Sequence, residues 1–445
     1  MESVTSGKEE QANRLLKDGF WSLWAAVLDR ATAFIIVLIT ARLLGQRAVG
    51  DYGIILTTAQ LVASVVGSGL GVAGARGVAE NIGVNVGKAT RIAILVMAVG
   101  VAISVLGGIV YLVIAPWLAV FVLRQPGLEP AIRISGILLA GELLRQTGVC
   151  LFTGFKAFFE RFIVMGILFV LSLVITPVAA LNWGVLGIVG ATGFVGILST
   201  GMGTGFVWQR KMQRFLRNAN YHWNVLSEMS VLSRYALPSG LSSLVAIPVL
   251  WYTQMILVRS TGGTVELAPY TVGSQVRMII AFLPTVVSSV FIPRMVRSET
   301  RVSERVDGSA RYVIVNVGTS VAISLLGGML FAVSSPVIAK LFLVDAHYVG
   351  VLGIMSWVGT LTGVNHALGA VIMSRGNMWM GVFANSVWAV CLLLLSVVLI
   401  PSHGVSGLAI AWLGAYLVLT VVQVLYVVRA FPEVRGSAVR IGDGG

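Results

Sequence analysis

Val101-Ala-Ile-Ser-Val-Leu-Gly-Gly108 recurs as Val321-Ala-Ile-Ser-Leu-Leu-Gly-Gly328, 220 residues further along a chain of 445. The same offset pairs Arg91 with Arg311, Pro116 with Pro336 and Leu123 with Leu343, and 13 of the 33 positions in 91–123 match their counterparts in 311–343. Gly184-Val-Leu-Gly187 answers Gly404-Val-Ser-Gly407, and Thr200 answers Thr420, again at 220; Arg42/Arg259 and Tyr52/Tyr270 follow at 217 and 218. Apolar stretches resemble one another by composition, but an offset kept by Arg, Pro and Gly marks a duplication.

Composition says what is duplicated. Hydrophobic residues make up 57% of the chain and charged residues 11%, against about 25% charged in soluble domains. So few charges cannot cover the surface of a water-soluble protein of this length. A disordered chain and a secreted disulfide scaffold are excluded; the two cysteines, Cys150 and Cys391, lie in apolar runs. The 51 glycines suit helices packed closely in lipid. The expectation is an all-α polytopic membrane protein.

Twelve segments supply the roughly 20 apolar residues a spanning helix needs: 20–43, 51–75, 90–114, 130–154, 162–181, 185–208, 235–258, 267–292, 312–335, 349–373, 378–400 and 405–428. The fourth and tenth, which carry polar residues, are the weakest of the twelve. Met1–Gly19 is polar and runs straight into a full-length span, which reads as an amphipathic surface helix rather than a signal peptide. The domain reading is a cytoplasmic leader (1–19), an N-lobe of six spans (20–208), a basic linker (209–234), a C-lobe of six spans (235–429) and a tail (430–445).

With the amino terminus inside, the inner segments hold 22 Lys and Arg, the outer segments 6 and the spans 3. The positive-inside rule therefore places both termini in the cytoplasm. The net charge of +13 is mostly this bias and needs no nucleic-acid partner. Six spans being even, both copies enter the membrane with the same polarity, and the lobes are expected to be related by an axis along the membrane normal.

No phosphate-binding Gly-rich loop followed by Lys-Ser/Thr, no HExxH and no Cys/His cluster is present. Outer loops are too short to fold as domains. The reading is a transporter and not an enzyme, with no metal and no cofactor beyond coupling to H+ or Na+. Gly67-Ser-Gly-Leu-Gly71 and Gly201-Met-Gly-Thr-Gly205 lie in spans and read as packing glycines.

Ionised groups within spans are costly and by default functional. Asp29 and Arg30 are adjacent in the first span, Glu142 and Arg145 sit three apart in the fourth, and Arg277 lies midway along the eighth. Glu142 and Arg145 share a helix face and can pair; Asp29 is a structural alternative partner for Arg277. Three arginines against two acids leave +1, the wrong sign for a cation pump and the right one for an anionic ligand. Arginine's planar fork matches phosphate. Arg30 and Arg277 are the principal anion-binding candidates and Arg145 a weaker one, with Asp29 and Glu142 as counter-ions or an ion-coupling site. Gln60, Gln254, Gln275, Asn316 and His366, with Asn365 and Asn385, add neutral polar capacity, either for sugar hydroxyls or for interhelical bonds. Pro116, Pro177, Pro238, Pro248, Pro284, Pro293 and Pro336 interrupt or bound spans and would allow bending.

Ala41-Arg-Leu-Leu-Gly45 followed by Gly50-Asp-Tyr-Gly53 resembles a signature of polysaccharide-export flippases. Tyr270-Thr-Val-Gly-Ser-Gln275, Leu283-Pro284 and Phe291-Ile-Pro-Arg294 are similar to that family's eighth span and its exit. The resemblance implies membership of the multidrug/oligosaccharidyl-lipid/polysaccharide exporter superfamily and its twelve-helix, two-lobe fold. It also implies translocation of a polyprenyl-pyrophosphate-linked oligosaccharide by alternating access, as for O-antigen, capsule or exopolysaccharide. Implied partners are that lipid-linked oligosaccharide, membrane lipids and polysaccharide polymerase or assembly proteins, in the cytoplasmic membrane. The related lipid II flippases carry an arginine–acid pair in the first span and an arginine in the eighth, where Asp29-Arg30 and Arg277 stand here. The chain ends after twelve spans, without the extra pair of those relatives, which favours a repeat unit over a peptidoglycan precursor. Gln254, near Trp251-Tyr252, stands where relatives carry an acid. The rival reading is a drug or organic-cation antiporter of the same superfamily.

Overall fold

The computed structural model of the chain describes residues 2–209, 225–232, 236–260, 262–300, 307–375 and 377–430. Most of the basic linker and the carboxy-terminal tail expected from the sequence lie outside the described residues. The first helices are α1 (Glu2–Leu44), α2 (Gln46–Asn81), α3 (Val86–Trp117), α4 (Glu129–Gly154) and α5 (Phe158–Val207). After them come α6 (Leu237–Val258), α7 (Gly263–Thr300), α8 (Asp307–Val333), α9 (Val349–Ser374) and α10 (Met378–Ala430). Among the described residues there is no strand, and nine of these helices are long and apolar enough to cross a membrane, with α6 carrying a shorter apolar stretch.

Helices α5 and α10 run 50 and 53 residues, roughly 75–80 Å at 1.5 Å per residue, more than twice a hydrocarbon core of about 30 Å. Each therefore has to be two spans, and each breaks at one glycine. Gly184 has φ 59°, ψ −137° and Gly404 has φ 56°, ψ −133°, a backbone conformation open to glycine and strained for any residue with a Cβ. The breaks are 220 residues apart and almost superimposable in dihedral angle. Dividing both helices there yields the twelve expected spans. The repeat continues elsewhere in the backbone. Arg124 and Leu343 both take positive φ (55° and 52°), and each precedes a short 3-10 turn, Pro126–Leu128 and Ala346–Tyr348.

The chain divides into two compact units, Met1–Trp251 and Tyr252–Gly445, with the division inside α6. Trp251 Nε1 donates to Thr58 Oγ1 of α2 at 2.9 Å, tying that part of α6 to the first unit. Within unit 1, α4 packs against α2, α3 and α5; within unit 2, α9 packs against α7, α8 and α10. These central helices are the fourth and tenth spans, the least apolar of the nine at a mean hydropathy of 1.2. Their polarity is tolerable because neighbouring helices, and not lipid, cover them. Outward faces are the reverse: Leu106 and Val113 of α3 are exposed, as are their counterparts Leu326 and Val333 in α8.

Close backbone approach holds each bundle. A Cβ at Gly193 of α5 would lie 2.6 Å from the Ile137 carbonyl carbon and the Leu138 nitrogen of α4. Main-chain atoms of two packed helices cannot step aside. Gly193→Ala is expected to destabilise by about 1–3 kcal/mol, read as a lower melting temperature of the detergent-purified protein; an unchanged melting temperature would contradict this packing. Of the glycines expected to pack helices, Gly69 and Gly203 do so against Ala236 and Phe152, whereas Gly201 and Gly205 face open space. At one end of unit 1 an aromatic cluster joins α1 to α5, with Trp21 4.8 Å from Phe159 and 4.9 Å from Phe162, as suits a membrane interface.

Candidate functional site

Unit 1 gathers three of the five span charges. The i,i+3 spacing of Glu142 and Arg145 puts both on one face of α4, where Arg145 Nη2 lies 2.8 Å from Glu142 Oε1 and Nε 3.1 Å from Oε2. Arg145 Nη1 reaches across to Asp29 Oδ1 of α1 at 3.0 Å. Gln146, one residue on, donates to Glu142 Oε1 (2.9 Å) and to Ser64 Oγ of α2 (3.4 Å). Two helices thus meet on one guanidinium, and Gln146 ties α2 to the same cluster. Arg145, a candidate anion ligand by its position in the sequence, spends all three nitrogens on two carboxylates. Asp29 pairs with Arg145 and not with Arg277. Gln146 and Ser64 were not among the expected residues; Gln146 was findable, being four residues from Glu142 on the same helix face.

Arg30, adjacent to Asp29 on α1, is exposed. The four span charges of unit 1 (Asp29, Arg30, Glu142 and Arg145) sum to zero. The excess positive charge of the spans is therefore Arg277, in unit 2.

Arg277 sits on α7, where Gly359 lets α9 come so close that an added Cβ would be 3.0 Å from the Arg277 Cα. Its guanidinium carbon lies 4.8 Å above the ring of Trp412, a cation–π contact. Trp412 is one of four aromatic residues packed together. Its centroid is 5.9 Å from Tyr270, 5.9 Å from Trp388 and 5.8 Å from Tyr416, the last stacked at 23°. No ion pair among the described residues involves Arg277. Three donors of the cluster, Arg277 Nε, Trp388 Nε1 and Trp412 Nε1, are buried without a hydrogen-bond partner.

The neutral polar candidates scatter. Gln60 of α2 and Gln275 of α7 are half-buried, Gln254 of α6 is buried, and His366 of α9 is exposed. Asn316 is fully buried in α8 and leans at 3.4 Å on the Ala367 carbonyl of α9, its Oδ1 unpaired. Asn365 joins α9 to the second half of α10 through Thr420 Oγ1 at 2.8 Å. These two amides serve interhelical bonding. A cavity of about 530 Å3 in unit 1, lined by Ala93, Met97, Val101, Leu151 and Trp208 among others, is apolar and holds none of the candidate residues. Among the described residues no group of His, Cys, Asp and Glu has metal-binding geometry.

A family model described as polysaccharide biosynthesis protein matches residues 15–299. The EPS I polysaccharide export inner membrane protein EpsE of Ralstonia solanacearum is 26% identical over 227 residues, 48% of this chain and 48% of that one. The match thus spans about half the length of that relative. A solved inward-facing multidrug resistance MATE family transporter of the MOP superfamily superposes with a TM-score of 0.75 at 16% identity, covering 92% of this chain and 96% of that one. A MOP superfamily transporter from Pyrococcus furiosus, described as having a binding pocket of reverse polarity, gives 0.65 at 17% identity over 93% of both chains. At such identities the likeness establishes the fold alone.

Proposed function

Because the chain belongs to the polysaccharide biosynthesis protein family, we propose that it flips a polyprenyl-pyrophosphate-linked oligosaccharide repeat unit from the inner to the outer leaflet of the cytoplasmic membrane. The observation that carries this reading is the uncompensated Arg277. A cation kept within a span against a cost of about 2.5–3.5 kcal/mol, and held by an aromatic face instead of a carboxylate, remains available to an anion. Arg277 binds the pyrophosphate, with Arg30 as a second candidate. Arg145, held by Asp29 and Glu142, orders unit 1 and stays out of ligand contact.

The polyprenyl tail remains in lipid while the head group crosses the membrane by alternating access, both termini staying on the cytoplasmic side. The flipped unit is then taken up by polymerase or assembly proteins that build a cell-surface polysaccharide. Two carboxylates share one guanidinium in unit 1, an arrangement suited to H+ or Na+ coupling. The second reading, a drug or organic-cation antiporter, rests on the fold shared with MATE family transporters.

A deletion strain separates the two. Under the flippase reading, lipid-linked glycan accumulates facing the cytoplasm and surface glycan disappears until the gene is restored. Intact surface glycan together with increased susceptibility to toxic cations would overturn it in favour of the antiporter.

A further inference from the structure

The two copies of the repeat differ sharply where Arg277 sits. Tyr270, Arg277, Trp388, Trp412 and Tyr416 of unit 2 correspond, at offsets of 218 and 220, to Tyr52, Ala59, Leu168, Thr192 and Gly196 of unit 1. Tyr52 and Thr192 interact in unit 1, as Tyr270 and Trp412 do in unit 2, so the correspondence is spatial as well as sequential. Unit 1 packs this place with Ala59 and Leu168, both at most 4% exposed, and with a glycine. At these five positions unit 1 has neither a cation nor a tryptophan, and the charged pair nearest to them, Glu142 with Arg145, is already closed on itself. Unit 2 has instead a guanidinium and two indoles, each with one buried donor lacking an acceptor, and each such donor costs about 1–3 kcal/mol.

An arginine within a membrane can be held in two ways. A carboxylate holds it and cancels its charge, as Asp29 and Glu142 do for Arg145. An aromatic face holds it and leaves the charge in place. Hydroxyl-bearing ligands need acceptors as well as donors, whereas an oxyanion is acceptor-only. A cluster of orphan donors around one cation suits the second kind of ligand.

We propose that Trp412 is a positioning residue that holds Arg277 without neutralising it, and that with Trp388 it makes this part of unit 2 a donor-rich site selecting oxyanions over neutral sugars and cations. This rests on the flippase reading and adds its specificity determinant. The oxyanion is a phosphate of the lipid carrier or a carboxylate of an acidic sugar.

Isothermal titration into the full-length protein in lipid nanodiscs tests it, with inorganic pyrophosphate, glucuronate and glucose as probes. Pyrophosphate or glucuronate is expected to bind, which identifies the source of the oxyanion, and glucose is not. Trp412→Leu removes the aromatic face and is expected to weaken oxyanion binding about tenfold. The Trp388→Phe/Trp412→Phe double variant keeps an aromatic face at each position, with a smaller ring, and removes two donors. It is expected to weaken binding about threefold, which keeps the test decisive if Trp412→Leu does not fold. A purely structural role would lower the melting temperature of the variants without moving the dissociation constant. Unchanged oxyanion affinity in the folded variants overturns the positioning role alone. Absence of oxyanion binding by the wild-type protein, or equal binding of glucose, overturns the anionic head-group reading along with it.

Discussion

Replacing Arg277 by alanine is expected to abolish surface glycan while the protein still inserts in the membrane at its normal level. The two halves of that outcome have separate causes. Arg277 carries the whole excess positive charge of the spans, because the four charges of unit 1 cancel; without it the spans are neutral and an anionic head group finds no net attraction there. Stability changes little. The variant loses a cation–π contact with Trp412 worth about 2 kcal/mol when desolvated. It also loses the cost of holding a cation at that depth, about 2.5–3.5 kcal/mol, together with one orphaned buried donor. These terms nearly cancel, so loss of glycan could not be attributed to misfolding. Arg277→Lys keeps the charge and loses the planar fork, and is expected to retain part of the activity. Surface glycan measured beside the amount of protein in the membrane fraction checks both variants; normal glycan in Arg277→Ala would end the assignment of Arg277 to the site.

The spans and their duplication were legible because both are one-dimensional properties. Hydropathy marks a helix from its own residues, and the 220-residue offset kept by Gly184 and Gly404 reappears as two helix breaks with matching dihedrals. The polar fourth and tenth spans looked weakest on hydropathy for a reason that three dimensions supply: they are the central helices, α4 and α9, sheltered from lipid by their neighbours. Pairing within one helix was legible too, since Glu142 and Arg145 share a face. Pairing between helices was not. Asp29 and Arg145 are 116 residues apart, and spacing along the chain says nothing about which faces of α1 and α4 meet. Trp412 was missed because a tryptophan in an apolar run reads as lipid-facing or core. Only its place above Arg277, and the contrast with Thr192 in the other copy, reveals a role. The boundary between the compact units was equally hidden: it lies within α6, at Trp251, since an apolar helix looks alike on both sides of such a division.

Removing the guanidinium of Arg145 tests how unit 1 is held. Arg145→Leu leaves two carboxylates facing one another with no cation between them. Glu142 is the more buried, 13% exposed, and Asp29 the more open, 33% exposed. Water screens the Asp29 contact in part, so most of the effect belongs to Glu142. Breaking a buried pair by removing one partner costs about 3–5 kcal/mol, and the variant is expected to fall toward that range, read as a large drop in melting temperature and in the fraction extracted as a monodisperse peak. Neutralising the stranded acid should restore much of the loss. Glu142→Gln combined with Arg145→Leu removes both charges, keeps an amide carbonyl for Gln146 to donate to, and is expected to be more stable than Arg145→Leu alone. If the double variant is instead the weaker of the two, Glu142 stabilises unit 1 through some contact other than Arg145. The outcome also separates the two arginines physically: one whose loss unfolds the bundle because its charge is fully answered, and one whose loss silences the protein because its charge is not.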